Sequence, residues 1–181
     1  MLKSANKKGP IVLISGDISY VFPSGYGYLA GYLVERGEEI EILIRPKNEA
    51  DYPKLIKEII DLKPLLVGFG GLYTDLYPIK KIIPLLIGAN RDFPIVIGGQ
   101  MVTPTPEFAL EVTGADIGVI GEGEIILYKL VQALRQGADL FKTGGLVLNH
   151  DGRQTLTGQG EIIEDLSKLP KIPYDLFPST E

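Results

Sequence analysis

Short apolar runs that end in glycine recur along the first two thirds of this chain, and that recurrence limits its folds more than any other feature. Ile11-Val12-Leu13-Ile14-Ser15 runs into Gly16, Leu65-Leu66-Val67-Gly68-Phe69 into Gly70-Gly71, Ile95-Val96-Ile97 into Gly98-Gly99, and Ile117 to Ile120 into Gly121. Unbroken apolar runs of this length suit strands covered on both faces. A further strand is read where Ile40, Ile42 and Ile44 alternate with Glu39, Glu41 and Leu43 until Pro46. The intervening segments carry helical spacing: Leu29, Tyr32 and Leu33; Leu55, Ile56, Ile59 and Ile60; Ile79, Ile82, Ile83 and Leu86; and Ile126, Leu130 and Leu134. A short helix is expected from Thr105 to Thr113. Asp51 and Thr105 read as N-caps, Pro53 and Pro106 as first-turn residues, and Gly37, Gly114 and Gly137 as helix stops. Pro84 interrupts the third helix and predicts a bend or a late start there.

Five strand–helix units in succession predict an α/β fold: a doubly wound, five-stranded parallel sheet of the flavodoxin-like or Rossmann-like kind, with right-handed crossovers. Beyond Gly144-Gly145 the texture changes. Leu146-Val147-Leu148 and Gln154-Thr155-Leu156 flank Asn149-His150-Asp151-Gly152, the signature of a β-hairpin. From Gly158 onward, Pro170, Pro173 and Pro178 interrupt scattered Leu and Ile, as in an extended strap. Residues 1–143 are thus expected to form the α/β domain and 144–181 the hairpin and tail.

The 181 residues suit one domain, and a hydrophobic fraction of 45% can fill its core. A net charge of -5 with no basic stripe argues against a nucleic-acid partner. No apolar run approaches the ~20 residues a membrane span needs, and the chain is read as cytoplasmic. Cysteine is absent and His150 is the single histidine, so thiolate or histidine metal sites and thiol nucleophiles are excluded. No catalytic residue and no protein-held metal is expected.

In an open parallel sheet, ligands settle beyond the carboxyl ends of the strands, where strand order reverses. Glycines there leave bare backbone against which a ligand can press. A nucleotide is disfavoured, because no G-x-G-x-x-G follows the first strand and no phosphate loop is present. A phosphorylation receiver is disfavoured by Gly70 and Gly121, where it needs aspartate and lysine. Glu122 and Glu124 open the fifth helix, where the macrodipole favours anions or a ligand contact is made. Asp17 and Ser19 are read as a polar loop or ligand contacts, His150 as a solvated turn residue, and Tyr26, Tyr28 and Tyr32 as packing.

The order of these turns resembles the N-terminal cobalamin-binding domain of radical S-adenosylmethionine enzymes, a family that includes methyltransferases and anaerobic magnesium-protoporphyrin monomethyl ester oxidative cyclases. The resemblance rests on Gly25-Tyr26-Gly27-Tyr28-Leu29-Ala30-Gly31 through Gly37, Val67-Gly68-Phe69, Ile97-Gly98-Gly99, Ile120-Gly121-Glu122-Gly123-Glu124, and Glu164-Asp165-Leu166 with Leu169-Pro170. It implies that the corrinoid's nucleotide tail enters between the first strand's loop and the turns after strands three and four, with the ring across the sheet edge. Gly70-Gly71-Leu72 matches the family's S-x-L turn with glycine for serine, and Gly98-Gly99 its double-glycine turn. The cofactor-binding residues it implies are Gly16, Ser19, Gly25, Gly70, Gly71, Leu72, Gly98, Gly99, Gln100, Gly121, Glu122 and Gly123. Ser19 stands where other cobalamin domains place the cobalt-ligating histidine, which implies a base-off corrinoid without protein imidazole.

The family holds a 4Fe-4S cluster and S-adenosylmethionine in a second domain through a C-x-x-x-C-x-x-C motif, absent from this chain. The resemblance therefore implies that the chain is a piece of a longer enzyme whose radical domain follows in cis. Two other readings stand beside it: a docking domain of this fold that has lost the cofactor, with Tyr20, Tyr26 or Met101 plugging the slot, and a flavin- or small-molecule-binding flavodoxin-like enzyme. Valine at Gly71 or Gly98 is expected to spare the fold and abolish corrinoid binding.

Overall fold

The computed structural model describes residues 6–16, 21–150 and 152–178. Five parallel strands, β1 (Ile11–Ser15), β2 (Ile40–Ile44), β3 (Leu66–Phe69), β4 (Ile95–Ile97) and β5 (Ile117–Val119), alternate with helices α1 (Ser24–Val34), α2 (Tyr52–Asp61), α3 (Leu76–Gly88), α4 (Pro106–Thr113) and α5 (Gly123–Gln136). The sheet, however, has seven strands rather than five. Its order is β2-β1-β3-β4-β5-β6-β7, because the hairpin β6 (Leu146–His150) and β7 (Arg153–Leu156) continues it antiparallel from β5. The physical reason is the open edge of β5, whose unpaired backbone groups and apolar flanks are satisfied by β6. Leu146 and Leu148 pack on one face and Val147 on the other, so β6 extends both cores.

One core joins α2, α3 and α4 to the sheet, and the other joins α1 and α5 to its opposite face. This is the doubly wound arrangement, with the strand order reversing between β1 and β3. In β2, Ile40 and Ile42 are buried while Glu41 is exposed, as the alternation predicts for an edge strand.

Two caps differ from expectation. Asp51 makes no side-chain cap; Asn48 accepts from the Ala50 N–H at 3.0 Å and opens a 3-10 turn, Glu49–Asp51, that runs into α2. The Thr105 hydroxyl also caps nothing, and α4 is started by its carbonyl, which accepts from the Ala109 N–H at 3.0 Å, and by Pro106. Gly114 and Gly137 end α4 and α5 in the left-handed conformation. α3 has no late start: it begins at Leu76 and runs through Pro84 to Gly88. Lys80 and Pro84 are both exposed, so water can take the carbonyl that the missing N–H leaves unpaired.

The tail crosses the outside of α1. A β-carbon at Gly27 would lie 2.8 Å from the Ile172 side chain, and one at Gly31 2.6 Å from the Lys171 carbonyl. Phe22 stacks on Tyr174 and Phe177 with ring centroids 5.0 and 4.7 Å away, and Leu176 and Phe177 lean on the α1–α5 core.

Candidate functional site

All the parallel strands point their carboxyl ends at one rim, and the glycine turns sit on it. Gly16 follows β1, Gly70 and Gly71 follow β3, Gly98 and Gly99 follow β4, and Gly121, Glu122 and Gly123 join β5 to α5. Ser19 lies outside the described residues, as do Asp17 and Tyr20. Leu72 and Gln100 are exposed on the β3 and β4 turns.

Added β-carbons separate the glycines by role. Among the described residues nothing lies within 4 Å of one built at Gly25 or Gly121, so these leave the rim open at the start of α1 and at the β5 turn. At Gly99 (φ 80°) the β-carbon would meet the Gly71 oxygen at 3.0 Å and nitrogen at 3.1 Å, because these two turns touch backbone to backbone. At Gly98 it would sit 3.6 Å from Val119, an ordinary contact, and at Gly123 it would press on Leu29 at 3.0 Å.

At the reversal of strand order, Tyr26 rises from α1 into the fork between β1 and β3. Its hydroxyl donates to the Ile14 carbonyl at 2.6 Å and accepts from the Gly70 N–H at 2.6 Å. Burial pushes this phenol well above the ordinary tyrosine range, so it is a neutral structural bridge at physiological pH. Tyr26 therefore closes the depth of the fork. Met101, by contrast, is fully buried in the core on the α2–α4 face and plugs nothing beside α1.

Three ties that the sequence did not suggest fix the rim. Arg45, just past β2, donates to Asp75 at 3.0 Å, and Asp75 in turn accepts from the Leu72 N–H at 3.0 Å. The only sequence signal for Asp75 is its place three residues after Leu72, where a carboxylate can reach back to a turn's first N–H. The Thr103 hydroxyl donates to the Gly99 carbonyl at 3.3 Å and accepts from the Gly121 N–H at 3.0 Å, joining the β4 and β5 turns. Glu122 faces the tail, where it accepts from the Ile163 N–H. Burial, aided by Glu122, raises the pKa of Glu124, so desolvation outweighs the helix terminus in its favour for anions. His150 lies two residues past Leu148, the partner of Ile117 at the start of β5, and so at the end of the sheet opposite the rim.

A groove of about 380 Å³ beside β2, lined by Ile44, Pro46, Asp51, Lys54, Leu55 and Glu58, includes none of the rim glycines. Among the described residues no group of three or more His, Asp or Glu side chains is placed to hold a metal ion. No described helix is long and apolar enough to cross a membrane. The rim thus presents glycine backbone from the turns after β1, β3, β4 and β5.

Comparison with known proteins agrees with that geometry. The chain is 28% identical over 157 residues to an uncharacterized methyltransferase of Pyrococcus horikoshii, covering 86% of this chain and 34% of that protein. It is 30% identical over 153 residues to the anaerobic magnesium-protoporphyrin IX monomethyl ester cyclase of Rubrivivax gelatinosus, covering 81% of this chain and 28% of that one. It therefore spans about a third or less of the length of these relatives. Its fold matches the radical S-adenosylmethionine methyltransferase TsrM of Kitasatospora setae, solved with cobalamin and a 4Fe-4S cluster, at TM-score 0.72 and 22% identity over 90% of this chain and 31% of TsrM. It also matches the cobalamin-dependent radical enzyme OxsB, solved with aqua-cobalamin, at TM-score 0.72 and 18% identity over 94% of this chain and 25% of OxsB. The family model of the B12 binding domain matches residues 18–131, and with well over half its length inside that match the chain belongs to the B12-binding domain family.

Proposed function

We propose that this chain holds cobalamin across the carboxyl edge of its parallel sheet and presents it to a radical S-adenosylmethionine domain in the same polypeptide. The observation that carries this reading is the cross-tied rim of bare backbone, open at Gly25 and Gly121, inside a chain of the B12-binding family. A corrin ring is broad and its nucleotide base flat and apolar, so both need surface without side chains. Gly70, Gly71, Gly98, Gly99, Gly121 and Gly123 would supply that surface, with Gly16, Gly25, Leu72, Gln100 and Glu122 at its border, and Ser19 is the further contact that the family resemblance implies. Glu122 acts through the tail that it anchors.

This chain would offer a bound corrinoid no imidazole beneath cobalt, so the cofactor would be held base-off. Supporting this, residue 19 is serine, and the single histidine stands at the opposite end of the sheet. When bound, the corrinoid supplies a carrier for a methyl group or a participant in electron transfer. The chain's own residues bind and orient it. Residues 144–181 form the hairpin and strap leading toward the further domain, where S-adenosylmethionine and the 4Fe-4S cluster would reside.

The test is to mix the 181-residue chain with hydroxocobalamin, pass it over gel filtration and record the visible spectrum. Co-elution with a spectrum altered by release of the lower base is expected. Separate elution with an unchanged spectrum would sink this reading and favour a cofactor-less docking domain, the version to which Tyr26 in the fork lends support.

A further inference from the structure

We propose that Arg45 and Asp75 form a positioning pair that holds the β3 turn in the shape that admits the corrinoid. This inference rests on the cofactor reading above and adds two residues to its machinery.

Gly71 is the strained point of the β3 turn for any residue but glycine. Its φ of 140° is a conformation that side-chain-bearing residues rarely adopt, and the Asp75 carboxylate packs where its β-carbon would be, with Cγ 2.9 Å from that position. Glycine takes this conformation among many others, so the groups packed around Gly71 select it. One Asp75 oxygen accepts from the Leu72 N–H at 3.0 Å, and the other accepts from Arg45 Nη2 at 3.0 Å. Arg45 is itself fixed, because its N–H donates to the Ser15 carbonyl at 2.8 Å and continues the β1–β2 ladder.

The pair also lies beside Gly16, the residue that follows β1. A β-carbon at Gly16 would be 3.4 Å from Arg45 Nη2 and 3.6 Å from Asp75 Oδ1. On its other side, Gly71 touches Gly99 of the β4 turn through backbone alone. One ion pair therefore ties Arg45, just past β2, to the β3 turn beside Gly16 at the end of β1, and Gly71 carries the contact on to the β4 turn. The Arg45 and Asp75 side chains are only 18% and 25% exposed, so water screens the pair incompletely. Both carboxylate oxygens are engaged within the protein. Asp75 is thus a positioning residue and not a ligand contact.

Hydroxocobalamin titration of the 181-residue chain, followed by its visible spectrum, separates the outcomes. Asp75→Ala removes both bonds and is expected to weaken binding about ten- to hundredfold. Asp75→Asn keeps an oxygen for the Leu72 N–H and is expected to recover part of that loss. Arg45→Met should match Asp75→Asn, and the double variant should be no weaker than either single one, because the two residues act as a unit. Circular-dichroism melting of the cofactor-free variants supplies the second readout. Arg45→Met and Asp75→Asn should stay folded at the titration temperature, so lost affinity there cannot be lost fold. Unmutated-level binding by folded Arg45→Met and Asp75→Asn overturns the positioning role alone. Absence of binding by the unmutated chain overturns the cofactor reading and this role together.

Discussion

Tyr26 is the residue on which the rim depends most directly, since one hydroxyl satisfies the last free carbonyl of β1 and the first free N–H beyond β3. Tyr26→Phe takes this partner from the buried Ile14 carbonyl and the half-buried Gly70 N–H, and is expected to cost about 1–3 kcal/mol in urea unfolding. The cost depends on pH with a definite sign. Burial raises the folded pKa above the ordinary 10.0, so the unfolded chain loses its phenolic proton first as pH rises. Tyr26's stabilisation is complete below that ordinary value and declines above it, so the gap between unmutated chain and Tyr26→Phe should narrow in unfolding curves between about pH 9 and 11. A gap constant over that range would mean that the phenol is not held neutral by the fold. Gly98 and Gly71, which look alike in the sequence, also part company here. Gly98 has an extended φ and ordinary space, so Gly98→Ala should keep the unmutated melting temperature. Gly71, at positive φ against the Asp75 carboxylate, cannot take valine without strain, so the expectation that Gly71→Val spares the fold does not hold.

At the scale of elements, α1 and the tail form one unit. Gly31→Ala gains about 1 kcal/mol of helix propensity, yet its β-carbon would stand 2.6 Å from the Lys171 carbonyl, a backbone atom that must move. Packing should win. The variant is expected to be less stable in urea and to be cut faster by protease in residues 158–178. Gly88→Ala in the last turn of α3 meets nothing within 4 Å among the described residues, and it should raise stability by about 0.5–1 kcal/mol. Opposite signs from the same substitution isolate the contact from the propensity. The strands and helices themselves were legible because local periodicity states which face is buried, as Ile40 and Ile42 against Glu41 illustrate. The docking of β6 on β5 was not, because the hairpin signature of Asn149 to Gly152 fixes a turn and leaves open which edge it joins. Gly27 and Gly31 were likewise visible as glycines but not as the groove that receives Lys171 and Ile172.

Across the whole molecule, the rim is a chain of ties: Arg45 to Asp75, Asp75 to Leu72, Gly71 against Gly99, Thr103 to Gly99 and Gly121, and Glu122 to the tail. The glycines of that rim could be read from the sequence because a missing side chain is a property of one residue. The ties could not, since each joins positions from different strand–helix units or from opposite ends of a turn. Their layout makes the tail a party to the site. It touches the β1–α1 side through Phe22 and the β5–α5 side through Glu122, the two borders between which the open part of the rim lies. A ligand that binds only the folded rim stabilises it by mass action, about 2.7 kcal/mol at a hundredfold excess over Kd. For a chain of this size that corresponds to a rise in Tm of roughly 5–11 °C. Because the tail rests on both borders, hydroxocobalamin should also slow proteolysis within residues 158–178, and by a smaller factor in Phe22→Ala, which loses the contacts with Tyr174 and Phe177. If the melting temperature rises while the tail is cut at its cofactor-free rate, the rim binds its ligand without engaging the tail, and the coupling drawn from Phe22 and Glu122 is wrong.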